Sequence, residues 1–144
     1  MNIHDWVETQ YTKSIQQLEK LVSISSGSYD KEGIQKCFKE VESQLSILKP
    51  DSLIYHQDKQ SPNNPILECI KRPNADIQCC FVIHIDTVFN DADNFTTFTK
   101  ISDTTATGPG VIDAKGGLIV LIKTLEAIEA SSFKSSIGWT LLIN

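Results

Sequence analysis

The sequence has no long apolar run, no basic excess and no metal-type cysteine spacing, and each absence removes a class of function. Nowhere in its 144 residues does an apolar stretch approach the roughly 18 to 20 that a bilayer span needs. Met1 to Gln10 carries His4, Asp5 and Glu8 where a secretion signal would be apolar. A soluble, cytoplasmic chain with no membrane partner is expected, so the formal sequon Asn94-Phe95-Thr96 carries no meaning. Lysine and arginine number 13 against 18 acidic residues, a net charge of −5. Without a basic face for phosphates, nucleic acid is not expected as a partner. Cys37, Cys69, Cys79 and Cys80 include no C-x-x-C pair, and the last two fall on opposite faces of any strand. They read as reduced, buried thiols rather than disulfides or metal ligands. Repeats and low-complexity tracts are also missing. What remains is 40% hydrophobic and 22% charged, the composition of one domain with a true core.

Apolar spacing then orders the chain. Val7, Tyr11, Ile15, Leu18 and Val22 mark an amphipathic helix that the polar stretch Ser23 to Ser28 ends. Ile34, Phe38, Val41, Leu45 and Leu48 mark a second, stopped at Lys49-Pro50. Leu53 to Tyr55 and Pro65 to Ile70 read as strands joined by a loop over Gln57 to Pro65. Ile77 to Ile85 is apolar on both faces, as in a strand covered on both sides. Phe95 to Ile101 and Thr104 to Thr107 suggest a hairpin, Leu118 to Ala130 a helix, and Gly138 to Ile143 another buried strand. Helices alternating with apolar strands predict an α/β fold with helices on both faces of the sheet.

Two short stretches carry chemistry. His84-Ile85-Asp86 sets an imidazole and a carboxylate two residues apart at a strand exit, the place where open α/β sheets bind ligands. A metal-bound histidine usually passes its other ring N–H to such a carboxylate. Gly108-Pro109-Gly110-Val111-Ile112-Asp113-Ala114-Lys115-Gly116-Gly117 is a glycine-rich turn, but it fits neither dinucleotide-binding nor Walker spacing. An aspartate projecting from it suits a divalent cation better than a phosphate. Taken together, His84, Asp86 and Asp113 look like half of a mixed nitrogen and oxygen site for zinc or a similar ion. Lys115 reads as a solvated lysine, and His4 and His56 as surface residues.

These two stretches, His84-Ile85-Asp86-Thr87-Val88-Phe89 and Thr107 to Gly117, resemble the M20 family of co-catalytic zinc peptidases, most closely its glutamate carboxypeptidase branch. The match is specific over residues 81 to 117 and looser elsewhere. The resemblance implies a three-layer αβα sandwich with a mixed, mostly parallel central sheet, incomplete in this chain. It assigns His84 as a zinc ligand, Asp86 as the catalytic residue that orients it, and Asp113 as the carboxylate bridging two Zn2+ ions, with Co2+ or Mn2+ as alternatives. It also implies a hydrolase that cleaves an amide next to a C-terminal, acidic residue through a metal-activated water, acting on small peptides or N-acyl amino acids. Residues 1–144 would then be the N-terminal part of the catalytic domain. The Glu-Glu pair that supplies the base, the remaining ligands, and the lid or dimerisation domain through which a full-length form could pair would all lie outside it. On that reading this chain alone is inactive. Two alternatives are a non-catalytic remnant or interaction module and a deacylase of N-acyl amino acids.

Overall fold

A computed structural model describes residues 3–57, 65–90 and 93–144. The loop expected over Gln57 to Pro65 falls almost wholly outside them. Helix α1 covers Ile3–Val22, α2 Lys31–Ser46 and α3 Lys115–Ala130. The strands are β1 (Ser52–His56), β2 (Ile66–Lys71), β3 (Ile77–Ile83), β4 (Thr99–Lys100), β5 (Ala106–Thr107) and β6 (Ile137–Ile143). Helix α2 begins where Asp30 accepts a hydrogen bond from the Gly33 N–H at 2.9 Å, satisfying one of the donors left open at a helix start. It ends three residues before Lys49, which turns the chain at φ 49° ahead of Pro50.

The main sheet runs β1-β2-β6-β3, and β4 and β5 form a separate short hairpin. Pairings β1–β2 and β2–β6 are antiparallel and β3–β6 is parallel, so the expected α/β class with a mixed sheet holds. Within the described residues, the sheet and one helical layer of the expected three-layer sandwich are present. Leu67, Cys69, Trp139, Leu141 and Ile143 point to one face and join Ile34, Phe38, Val41 and Leu45 of α2 and Leu118, Ile122 and Leu125 of α3 in a single core. The opposite face carries Ile54, Ile66 and Val82 in contact with solvent.

This one-sided packing changes the reading of Ile77 to Ile85. Strand β3 lies at the sheet edge, with Cys79, Phe81 and Ile83 toward the helices and Val82 68% exposed. Within the described residues its apolar side chains are covered on one side only, and the other side is open. The thiols divide in the same way: Cys37 and Cys69 are buried, Cys79 is half-buried and Cys80 is exposed, and all four are free. Helix α1 departs from expectation too. Its C-terminal end buries Leu21 and Val22, but Val7 and Tyr11 are more than half exposed, because a 20-residue helix of about 30 Å overhangs the layer it packs on. Those side chains line a groove of about 490 Å³ against Val120 and Lys123 of α3. No described helix is long and apolar enough to cross a membrane.

Candidate metal centre at the strand ends

Strands β3 and β6 run parallel and finish side by side. The Asn144 N–H donates to the Ile83 carbonyl at 3.1 Å, and the Ile85 N–H donates to the Asn144 carbonyl at 2.8 Å. His84 leaves the sheet at this level. The glycine-rich segment reaches the same place from the other direction, running from β5 through Gly108 and Gly110 into the first turn of α3. Gly110 stands at φ 77°, and a Cβ there would sit about 3.0 Å from the Lys115 stem and 3.1 Å from Thr87. A left-handed backbone and two close neighbours both require glycine. Gly110→Ala is expected to cost about 1 to 3 kcal/mol of stability; a denaturant midpoint equal to that of the parent chain would show that the loop relaxes freely.

The expected site residues come together. His84 Nε2 lies 3.0 Å from Asp113 Oδ1, and His84 Nδ1 lies 3.0 Å from Asp86 Oδ1 and 3.2 Å from the Asp86 carbonyl. Both groups facing Nδ1 are acceptors, so Nδ1 carries a proton. Nε2 also faces an acceptor, Asp113 Oδ1, so the ring as it stands can donate at both nitrogens, and Nε2 offers a lone pair only once its own proton is lost. Partial burial opposes protonation of His84, but the hydrogen bonds to Asp86 and Asp113 and the Asp86 charge outweigh it and raise its pKa above the ordinary histidine value. Asp113 is 85% exposed at its side chain, so its second oxygen is open to solvent. The Asp113–Ala114 peptide is cis.

The donor set fits a zinc-type ion. Tetrahedral zinc, with bonds of about 2.0 to 2.2 Å, separates two ligand atoms by about 3.3 Å. The 3.0 Å between Nε2 and Oδ1 is within a few tenths of that. Among the described residues, however, no set of three or more His, Cys, Asp or Glu side chains converges to hold an ion. His84 and Asp113 therefore offer two candidate donor atoms and not a closed cage. Glu126 and Glu129 are engaged elsewhere, Glu126 with Lys123 and Lys13 and Glu129 with Arg72 and Trp139.

Lys115 is not the solvated lysine that its glycine neighbours suggest. It is fully buried, and its ammonium donates to the Ile24 carbonyl at 2.8 Å. Burial lowers its pKa, partly offset by Cys37, whose own thiol is pushed up by burial. The lysine ties the start of α3 to the segment between α1 and α2. That segment also bears on the site directly. Ser26 Oγ donates to the Ile85 carbonyl at 2.8 Å, and Ser28 Oγ donates to Asp86 Oδ2 at 2.5 Å. In the sequence these serines read only as a helix stop, and their spacing gives no signal of a role. His56 meets Glu68 at 2.9 Å on the sheet face away from the helices.

No protein family and no curated protein matches the sequence. The fold does match solved structures. It is similar to human carnosine dipeptidase 1, with a TM-score of 0.80, 18% identity, and 97% of this chain and 33% of that one covered. It is similar also to the di-peptidase Dug1p from Saccharomyces cerevisiae, at TM-score 0.78 and 16% identity over 96% of this chain and 33% of that one. An M20 family metallo-carboxypeptidase from Sulfolobus solfataricus gives TM-score 0.72 and 17% identity over 91% and 30%. The chain thus has the fold of about a third of each of these proteins.

Proposed function

We propose that the chain forms the first part of an M20-type peptidase site, with His84 and Asp113 as metal ligands and Asp86 as the orienting carboxylate. Residues 1–144 would be the N-terminal part of the catalytic domain. The observation that carries this reading is the convergence of His84 Nε2 and Asp113 Oδ1 at the carboxyl ends of parallel strands. The fold shared with three peptidases supports it.

Each residue then has a physical task. Asp86 accepts the Nδ1 proton and holds the ring so that Nε2 faces the crevice. Asp113 sets one oxygen against that nitrogen and would offer its second, exposed oxygen as a further donor. Zn2+, or Co2+ or Mn2+, held there would supply Lewis acidity toward a carbonyl and acidify water. Strand β6 ends level with His84, so residues continuing it would enter the same crevice, where an acidic pair could act as base and further ligand. The substrate we favour is a small peptide with a C-terminal, acidic residue, cleaved at the amide next to it.

The test is hydrolysis by the chain extended past Asn144 with its own coding sequence, using dipeptides ending in glutamate or leucine. The expected result is chelator-sensitive cleavage, restored by Zn2+, with the glutamate substrate preferred. Absence of an adjacent acidic pair in the extension, or cleavage indifferent to chelator, would remove the reading. Preference for leucine would remove the acidic specificity alone.

A further inference from the structure

Asp86 divides its two oxygens. Oδ1 accepts from His84 Nδ1, and Oδ2 accepts from Ser28 Oγ at 2.5 Å, the separation of a charge-assisted O–H···O⁻ bond. The serine hydroxyl has a second acceptor within reach, the Thr87 carbonyl, but at 3.3 Å the carboxylate is much the stronger partner. Ser28 is itself held from both sides. Its N–H donates to the Thr87 carbonyl at 3.0 Å, and the Thr87 N–H donates to the Ser26 carbonyl at 2.8 Å, giving a short parallel bridge between Gly27 and Thr87. Gly27 permits this contact, since a Cβ there would meet the Phe89 carbonyl at 2.6 Å. Ser26 is 1% exposed and pins the same segment to Ile85, while Lys115 pins it to α3 through Ile24.

Taking the metal-centre reading as given, we infer that Ser28 is a positioning residue: it fixes the Asp86 carboxylate so that its other oxygen holds the Nδ1–H of His84 and keeps Nε2 aimed at Asp113. Without the serine bond, the carboxylate can rotate about its terminal torsion, and His84 loses its fixed acceptor. The imidazole then shares the Nδ1–H and Nε2–H tautomers, and only the first leaves Nε2 free for a cation. Groups that bond directly to a ligating histidine tune metal affinity by about 10- to 100-fold. Ser28 acts one bond further out, so about a 3- to 10-fold effect is expected.

The experiment compares the chain with Ser28→Ala and Ser28→Thr. It reads the imidazole nitrogen and Nδ1–H resonances of His84 by NMR without metal, and the affinity for Zn2+ alone by calorimetry. Ser28→Ala should move the His84 resonances toward mixed tautomers and weaken Zn2+ binding about 3- to 10-fold. Ser28→Thr, which keeps the hydroxyl, should restore both. If Ser28→Ala does not fold, Ser28→Cys, with a weaker donor of similar size, should shift the resonances in the same direction. Unchanged His84 resonances in the alanine or cysteine variant, or failure of threonine to rescue, would overturn the inference. If the parent chain takes up no Zn2+, the metal-centre reading fails, while the His84 resonances still decide the role of Ser28.

Discussion

Replacing Glu129 by alanine is expected to cost about 3 kcal/mol of folding free energy, nearer the low end for a broken buried ion pair because the pair retains some solvent contact. Its side chain is 19% exposed and that of Arg72 21%. The carboxylate accepts both arms of the Arg72 guanidinium, at 2.8 and 2.5 Å, and the Trp139 indole N–H at 3.0 Å. Arg72 Nε also donates to the Ile137 carbonyl at 2.7 Å. One carboxylate therefore joins α3 to the turn between β2 and β3 and to the start of β6. Its loss would leave a guanidinium and a buried indole N–H without their partner, which is more damaging than removing the whole set. Thermal melts should show a drop of roughly 10 °C for a chain of this size. A drop within 2 °C would mean that water or a nearby group takes over both donors.

The pH dependence of this pair has a definite sign. Burial of Glu129 opposes its ionisation, but the hydrogen bonds from Arg72 and Trp139 and the Arg72 charge outweigh that, so its pKa lies below the ordinary 4.5. The stabilisation is complete above the unfolded value and is lost as pH falls through the folded one. The difference in unfolding free energy between the parent chain and Glu129→Gln should therefore shrink as the solution is acidified below about pH 4.5.

Asp113→Ala is expected to separate stability from binding. The side chain is 85% exposed and, among the described residues, its hydrogen-bond partner is His84, so the stability should stay within the about ±0.5 kcal/mol range of surface substitutions. If the metal-centre reading is right, removing one of two ligands should weaken Zn2+ uptake by at least about 100-fold, beyond the effect of any outer partner. In the extended protein the variant should lose peptidase activity to a similar degree. Calorimetry with Zn2+ and a melt on the same sample suffice. Equal Zn2+ affinity in Asp113→Ala and the parent would remove Asp113 from the site, and a large loss of stability would make it a structural residue.

How much of this was legible in the sequence depends on the range of the interactions. The helices α2 and α3 and the strands β3 and β6 follow from local periodicity, which is why their limits fall within a few residues of expectation. The meeting of His84, Asp86 and Asp113 was also readable, because the histidine and the two carboxylates are spelled out in two short stretches at a strand exit. The one-sided sheet was not. An apolar strand looks the same whether it lies in the middle of a covered sheet or at an edge, and only the pairing partners distinguish the two. Lys115 reads as solvated because its sequence neighbours are small and flexible, while the carbonyl that receives its ammonium belongs to Ile24, 91 positions earlier in the chain. Ser28 was invisible for the same reason. A serine 58 positions from its carboxylate partner carries no local pattern at all.

Strand β6 has one more consequence, and it concerns the order in which the fold can assemble. Among the described strands it comes latest in sequence, yet it lies between β2 and β3, pairing Leu67 with Ile143 and Ile77 with Ile137. As the polypeptide leaves the ribosome, the β1–β2 hairpin and the three helices can form locally, but β2 and β3 have nothing between them until Trp139 and Leu141 arrive. The closure of the sheet, and with it the alignment of His84 against its neighbours, waits until residues 137–143 have emerged. Until that long-range pairing closes, the facing edges of β2 and β3 stay open to pairing with another chain.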